Sequence, residues 1–309
     1  MAEALCTPCY NGKDFVDFRP SSSCPVVLTV PHGGSLAPPN IPDRTSGCIE
    51  PDDESWSLAE AVMAAWKESP FGAPTMVGLA LHRLKLDGNK NLCLACEQYQ
   101  GYQDEASGAA AGWTSYHQLI EKSLEKCVEK FGFALLLDLH GQSHRPGVTE
   151  LGYLLDSQHF FLTDDELSSA PPTQTSMDSL VRRLSETHKE STLAMLVRGP
   201  DSFGGFLEEH GFPCTPSPTR QEPVSEEALA AALEANHDIQ ATYGPPPEVA
   251  RAATYFSGAY TTKRYAASAT LSPDEDPLSQ SAQEGWASKV VAVQLETSWQ
   301  GVRDTPDNQ

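Results

Sequence analysis

The chain alternates short apolar runs with polar, Gly- and Pro-rich breaks, and several of the apolar runs stop at an ionisable residue. Phe133-Ala-Leu-Leu-Leu-Asp-Leu-His-Gly141 is apolar except for Asp138 and runs out at His140. A continuous apolar run closed by Gly reads as a strand buried on both faces, the kind found inside an α/β sheet. Val26-Val-Leu-Thr-Val30 is a β-branched strand that breaks at Pro31-His-Gly-Gly34, so His32 also sits at a strand end. A third strand over 75–81 leads to Arg83, and Val290-Val-Ala-Val-Gln-Leu-Glu296 ends on Glu296. The pattern predicts two further strands, over 150–155 and 193–198.

Helical spacing marks the segments between. Leu58, Val62, Ala65 and Trp66 follow the acids of Pro51-Asp-Asp-Glu-Ser-Trp56, where Asp52 or Asp53 suits a helix N-cap. Tyr116, Leu119, Ile120, Leu124, Cys127, Val128 and Phe131 form one stripe, which predicts a helix over 114–131. Helices are also expected over 177–190 and 226–241. Residues 92–112 and 164–176 read as loops. The resulting division is an irregular lead-in over 1–25, one α/β domain over 26–300 and a tail over 301–309. Flexible insertions are expected near 199–223 and 268–284.

The strand ends carry the candidate chemistry. Ligands of α/β sheets collect at the carboxyl ends of strands. Asp138 and His140 are two apart and so share a face. A carboxylate beside an imidazole fixes its tautomer for metal binding. The plainer alternative is that His140 caps the strand while Asp138 bonds a neighbouring backbone. Two histidines at two strand ends, His32 and His140, can converge on one metal. One of Asp52, Asp53 and Glu54 would then add an oxygen ligand, unless these acids only cap their helix. His82, Arg83, Lys85 and Lys90 form the densest basic cluster. It is either a solvated face or a place to hold an anion or polarise a carbonyl.

Composition narrows the partners. The 309 residues include 21 Lys and Arg against 42 Asp and Glu, a formal net charge of −21. That balance repels nucleic acid and anionic membranes. No apolar run reaches the ~18 residues of a membrane span, and the first 20 residues lack an apolar leader core. The cytoplasm is the default expectation. Eight cysteines are scattered along the chain. Cys6/Cys9 and Cys93/Cys96 have C-x-x-C spacing, but the pairs lie much further apart than the roughly 15–20 residues of a zinc ribbon. Free thiols are expected.

Taken together, Val30-Pro-His-Gly-Gly-Ser35, Leu81-His-Arg-Leu-Lys-Leu-Asp-Gly-Asn-Lys90, Tyr116-His117, Asp138-Leu-His-Gly141, Glu150-Leu-Gly-Tyr153, Ser257-Gly-Ala-Tyr-Thr-Thr-Lys-Arg-Tyr265 and Val293-Gln-Leu-Glu296 resemble the N-formylglutamate amidohydrolases. These look like relatives of the zinc carboxypeptidases and aspartoacylases. The resemblance implies a three-layer α/β/α fold around a mixed, largely parallel sheet, with zinc at the strand ends. It implies His32, Asp52 and His140 as zinc ligands, with Asp53 and Glu54 as alternatives for the acid, and Asp138 behind His140. It implies Glu296 as general base and Arg83 on the scissile carbonyl. Asn89, Lys90, Tyr260, Lys263 and Arg264 fall in the segments that hold the substrate. Two positions depart from the pattern, since Lys90 and Lys263 stand where the family has arginine. Lysine keeps the charge but cannot form the bidentate fork with a carboxylate. The implied activity is zinc-dependent hydrolysis of an amide in an N-acyl amino acid or small peptide. The alternative is an inactive member that binds a metal and a ligand.

Overall fold

The computed structural model describes residues 12–97, 108–144, 147–169, 175–187, 191–221, 255–266 and 285–304. The chain divides into two compact units, Met1–His140 with Thr270–Val290, and Gly141–Ala269 with Val291–Gln309. Both mix strands with helices, as the apolar runs predict. Three of the strand pairings within the units are parallel and two antiparallel. Among the described residues no helix is long and apolar enough to cross a membrane.

In the first unit the strand order is β1 (Val16–Arg19), β3 (Thr75–Leu79), β2 (Val26–Val30) and β4 (Ala134–Gln142). β2 runs parallel to both neighbours, and every residue of β2 and β3 is buried. This is the signature of strands covered on both faces, and it explains their lack of alternation. The register sets Thr29 of β2 opposite Asp138 of β4. β1 pairs antiparallel at the edge, within the stretch expected to be irregular. None of its residues is fully buried and Phe18 is exposed, so the core signal is carried by Phe15 just before it, which is fully buried.

Helix α1 (Ser55–Lys67) follows the acids at 52–54, and α3 (Ala109–Phe131) is the long helix of the unit. Between them α2 (Leu92–Ala95) is a single turn capped by Asn91, within the expected loop. α3 begins earlier than the apolar stripe predicts. Its Ala- and Gly-rich first turn is an asset for packing: a Cβ at Gly112 would lie 3.3 Å from both Leu86 and Phe15. The helix ends at Gly132, whose φ of +80° suits a left-handed cap.

In the second unit β5 (Thr149–Gly152) pairs antiparallel with β7 (Val290–Ser298) and parallel with the two-residue β6 (Cys214–Thr215). Its described helices are α4 (Asp164–Ser169), α5 (Asp178–Thr187), α6 (Leu193–Arg198), α7 (Phe203–Glu209) and α8 (Tyr260–Tyr265). Three of these correct the sequence reading. Residues 193–198 are a helix, not a strand. Leu193, Ala194 and Val197 are the buried positions, and Thr192 accepts from the Met195 N–H at 3.3 Å as its cap. The expected loop over 164–176 contains α4, and the expected insertion over 199–223 contains α7 and β6. α7 is built on Gly204 and Gly205 packed tightly against backbone, where an apolar stripe has no side chains to show itself. The helix expected over 226–241 and the insertion expected over 268–284 lie outside the described residues.

The turn after β2 is packed tightly against backbone. A Cβ on Gly34 would stand 2.3 Å from the Leu79 carbonyl oxygen, and one on Gly33 would stand 2.8 Å from Ser55 Oγ. These glycines let His32 sit close against the start of α1 and the end of β3. Gly34→Ala is expected to cost about 1–3 kcal/mol by overpacking. Denaturant unfolding measures it, and an unchanged midpoint would show that the turn has room to move.

Candidate metal centre

His32 leaves the end of β2, Asp52 precedes α1 and His140 lies near the end of β4. All three are buried. One Asp52 oxygen, Oδ2, lies 3.1 Å from His32 Nδ1 and 3.1 Å from His140 Nδ1. The two rings meet edge to face with centroids 4.7 Å apart. The three ligand atoms lie within 4.8 Å of one another. Asp52 is therefore the acid that joins the histidines. Asp53 and Glu54 are exposed, and Glu54 is bonded to Ser57.

Asp52 does not cap α1. The residue before the helix is Glu54, with no side-chain cap, in the left-handed region at φ +59°. Such a conformation costs roughly 1–3 kcal/mol in a non-glycine residue and persists where its surroundings demand it. Here the turn is held by the Asp52 carbonyl, which accepts from Ser55 Oγ at 2.6 Å, and by the Asp52 N–H, which donates to the His32 carbonyl at 3.2 Å. The strained turn leaves the Asp52 side chain directed at the imidazoles.

Each imidazole is fixed from behind by a second buried acid. His32 Nε2 is 2.7 Å from Asp87 Oδ1, and His140 Nε2 is 3.0 Å from Asp138 Oδ2. Protonated imidazoles donate from Nδ1 to Asp52 Oδ2, whereas with a metal in the centre the proton on each Nε2 would face these acids and both Nδ1 lone pairs would turn inward. Asp138 is held in turn by Thr29 Oγ1 at 2.6 Å. Asp87 Oδ1 also accepts the Asn89 backbone N–H at 2.9 Å. The Asn89 amide nitrogen lies 3.2 Å from His140 Nε2.

Two guanidinium groups balance these acids. Arg83 donates from Nη1 to Asp52 Oδ1 at 3.1 Å and from Nε to Asp87 Oδ2 at 3.3 Å. Arg44 stands 3.7 Å from Asp87 Oδ2. Burial pushes the Asp52 carboxyl up, but hydrogen bonds and charge from His140 and His32 outweigh it and hold the group well below the usual carboxylate range. Burial acts on Asp87 in the same way and is outweighed by His32, Arg83 and Arg44.

This donor set suits a small divalent cation. Tetrahedral coordination at ~2.0–2.1 Å separates neighbouring donors by about 3.3 Å, close to the spacing between each histidine and Asp52. Three carboxylates facing two guanidinium groups also leave negative charge for a cation to neutralise.

The remaining sequence-derived residues are distributed as follows. The basic cluster at 82–90 is divided among separate tasks. Arg83 clamps two carboxylates, His82 accepts the Leu84 N–H, and Lys85 donates to the Ile41 carbonyl. Lys90 is exposed. In the second unit Lys263 is exposed, whereas Arg264 is buried and donates to the Tyr260 hydroxyl at 2.9 Å. Glu296 is buried on β7 and accepts from Gln294 Nε2 at 2.7 Å. Cys93 and Cys96 are free thiols, and Cys6 and Cys9 lie outside the described residues. Sequence reasoning missed the roles of Asp87 and Arg44. An acid in the polar turn Asp87-Gly-Asn89 carries no period, and only its buried neighbour Leu86 signals that the turn goes inside.

The fold and site thus define a protein with mixed α/β units whose buried His32/Asp52/His140 group can hold a metal ion. Among solved structures, the chain is similar to an N-formylglutamate amidohydrolase from Ralstonia eutropha JMP134, with a TM-score of 0.40 and 12% identity over 92% of this chain and 85% of that one. It is also similar to a gene product from Agrobacterium tumefaciens, with a TM-score of 0.39 and 10% identity over 95% of this chain and 86% of the other. No protein-family model and no curated protein sequence matches the chain.

If Asp87 and Asp138 set the ring orientations, Asp87→Asn and Asp138→Asn should each weaken metal binding by ~10–100-fold. Competition with a chromogenic chelator measures this, with thermal melting as the control for folding. Equal affinity in a folded variant would show that the inner three residues suffice.

Proposed function

We propose that this protein is a zinc-dependent hydrolase that cleaves an amide bond of an N-acyl amino acid or small peptide. The observation behind this reading is the tethering of both imidazoles by buried carboxylates, which directs two nitrogens and one carboxylate oxygen to a single point. Three protein ligands are the number used by catalytic zinc. Zinc held by His32, Asp52 and His140 would supply Lewis acidity and bring the ionisation of water towards neutral pH.

The chain's own residues do the rest. Asp52 keeps one oxygen for the metal because Arg83 occupies the other. Glu296 accepts the proton of the attacking water and returns it to the leaving amine. Lys90, Lys263, Arg264, Tyr260 and Asn89 are the candidates for holding a carboxylate-bearing substrate. A second reading, a metal-containing binding protein without turnover, is favoured by one observation. Arg83 already bonds two carboxylates, so its release towards a scissile carbonyl would break both contacts.

Metal analysis of the purified protein, followed by assay against N-formyl and N-acetyl amino acids, tests the proposal. One zinc per chain with turnover is expected. Zinc without turnover on any of these substrates selects the binding protein, and full zinc occupancy in a His32→Ala/His140→Ala variant overturns both readings. Glu296→Gln should fold and retain zinc, with kcat reduced by ~10²–10⁴-fold. A kcat near that of the wild type would remove Glu296 from the mechanism.

The two lysines give a separate prediction. Lys90→Arg with Lys263→Arg restores forks that grip carboxylates, so the double variant should favour acids over the matching amides. An unchanged ratio of kcat/KM for the acid and amide would place the substrate's carboxylate elsewhere.

A further inference from the structure

The second unit contains a buried pair of carboxylates that are not among the candidate metal ligands. Glu150 on β5 stands directly opposite Glu296 on β7 in the antiparallel register, so the two side chains share a face. They are 3% and 5% exposed. Two like charges directly opposite one another on a sheet repel. A general base must nevertheless be ionised to accept a proton.

The local bonds are specific. Glu150 Oε2 accepts the Phe256 N–H at 2.7 Å, and its Oε1 lies 2.9 Å from His144 Nδ1. The His144 ring stacks on Phe256, with centroids 4.6 Å apart and planes 7° from parallel. The His144 N–H donates to Gln142 Oε1, and Gln142 Nε2 donates to the Val148 carbonyl at 2.7 Å. Ring, backbone and acid thus fix His144 in one position. On the other side of the pair, Gln294 Oε1 accepts the Ala259 N–H at 2.7 Å, which commits its NH₂ group to Glu296.

We propose that His144 and Glu150 form a positioning pair for Glu296: the imidazolium, anchored by Glu150, supplies the positive charge that offsets the repulsion between the two carboxylates on one buried face. This rests on the reading of Glu296 as general base, and it adds two residues to that reading. The hydrogen bond to Glu150 raises the His144 pKa above that of an ordinary imidazole, against burial, and the charges on Glu150 and Glu296 act in the same direction. Two further ionisable groups of this unit bond backbone carbonyls. Tyr255, which burial keeps neutral, donates its hydroxyl to the Leu151 carbonyl. Arg303 donates to the carbonyls of Thr297 and Gln142 at 3.2 and 2.7 Å.

A raised imidazole pKa means that the stabilisation is complete below the unfolded value of ~6.5 and disappears as pH rises through the folded one. His144→Gln should therefore lower the melting temperature most near pH 6 and scarcely at all near pH 9. Coupling between charges is reciprocal, so His144 can report on both acids. NMR titration of the His144 ring should show a midpoint above that of a free imidazole. Glu150→Gln should lower it, and Glu296→Gln should lower it by a smaller step. Near pH 6–7, His144→Gln should lower kcat by about tenfold with little change in KM, and His144→Lys, which restores charge but not the stack, should recover part of it.

An unmoved His144 midpoint in Glu296→Gln overturns the proposal, whatever the activity. So does a His144→Lys variant no better than His144→Gln. If the midpoints shift as expected in a protein without turnover, the pairing stands and the hydrolase reading fails.

Discussion

The first unit depends on one constraint: two imidazole rings must be prevented from turning. A histidine can present either nitrogen, and a site that needs Nδ1 from both must occupy both Nε2 atoms. Asp87 and Asp138 do so, and each is a buried charge that requires its own compensation. Thr29, the Asn89 N–H, Arg83 and Arg44 provide it. The parallel register that sets Thr29 beside Asp138 is therefore part of the site's electrostatics as much as of the sheet. The glycines after β2 and the left-handed Glu54 belong to the same arrangement. They accept close approach and backbone strain so that His32 and Asp52 reach their positions.

This accounts for what the sequence disclosed. The apolar runs marked β2, β3, β4 and β7 because strands covered on both faces have no solvent side to interrupt them. The histidines at their ends stood out because an ionisable residue closing an apolar run is conspicuous. Asp87 did not, because its burial comes from the path of a turn and not from a run or a period. Nor could the sequence rank Asp52 above Asp53 or Glu54 without the resemblance. Three consecutive acids before a helix look alike until the backbone reverses at Glu54.

The misread helices have a common cause. α6 and α7 are short, and a stretch of six or seven residues holds too few turns to separate a helical period from an apolar run. α6 looked like a strand because Leu193 to Val197 is almost wholly apolar. The first turn of α3 looked like a loop because its alanines and Gly112 carry no stripe, although small size is what lets that turn pack against Phe15 and Leu86.

The distribution of cations bears on what such a site can recruit. In a chain of net charge −21, several of the few cations are buried and bound to backbone carbonyls. Arg198 bonds the carbonyls of Phe160 and Leu162, Arg44 those of Cys48, Ser46 and Arg83, and Lys85 that of Ile41. These side chains act as internal braces, and each also sits against an acid, Arg44 beside Asp87, Lys85 beside Asp43 and Arg198 beside Asp164. The long-range field of the chain therefore repels anions, although salt limits its reach to about 8 Å at physiological ionic strength. On the hydrolase reading, a carboxylate-bearing substrate gains no help in its approach and must be recognised at contact. Selectivity would then rest on a few close hydrogen bonds. This is the regime in which the difference between a lysine's point charge and an arginine's fork matters most.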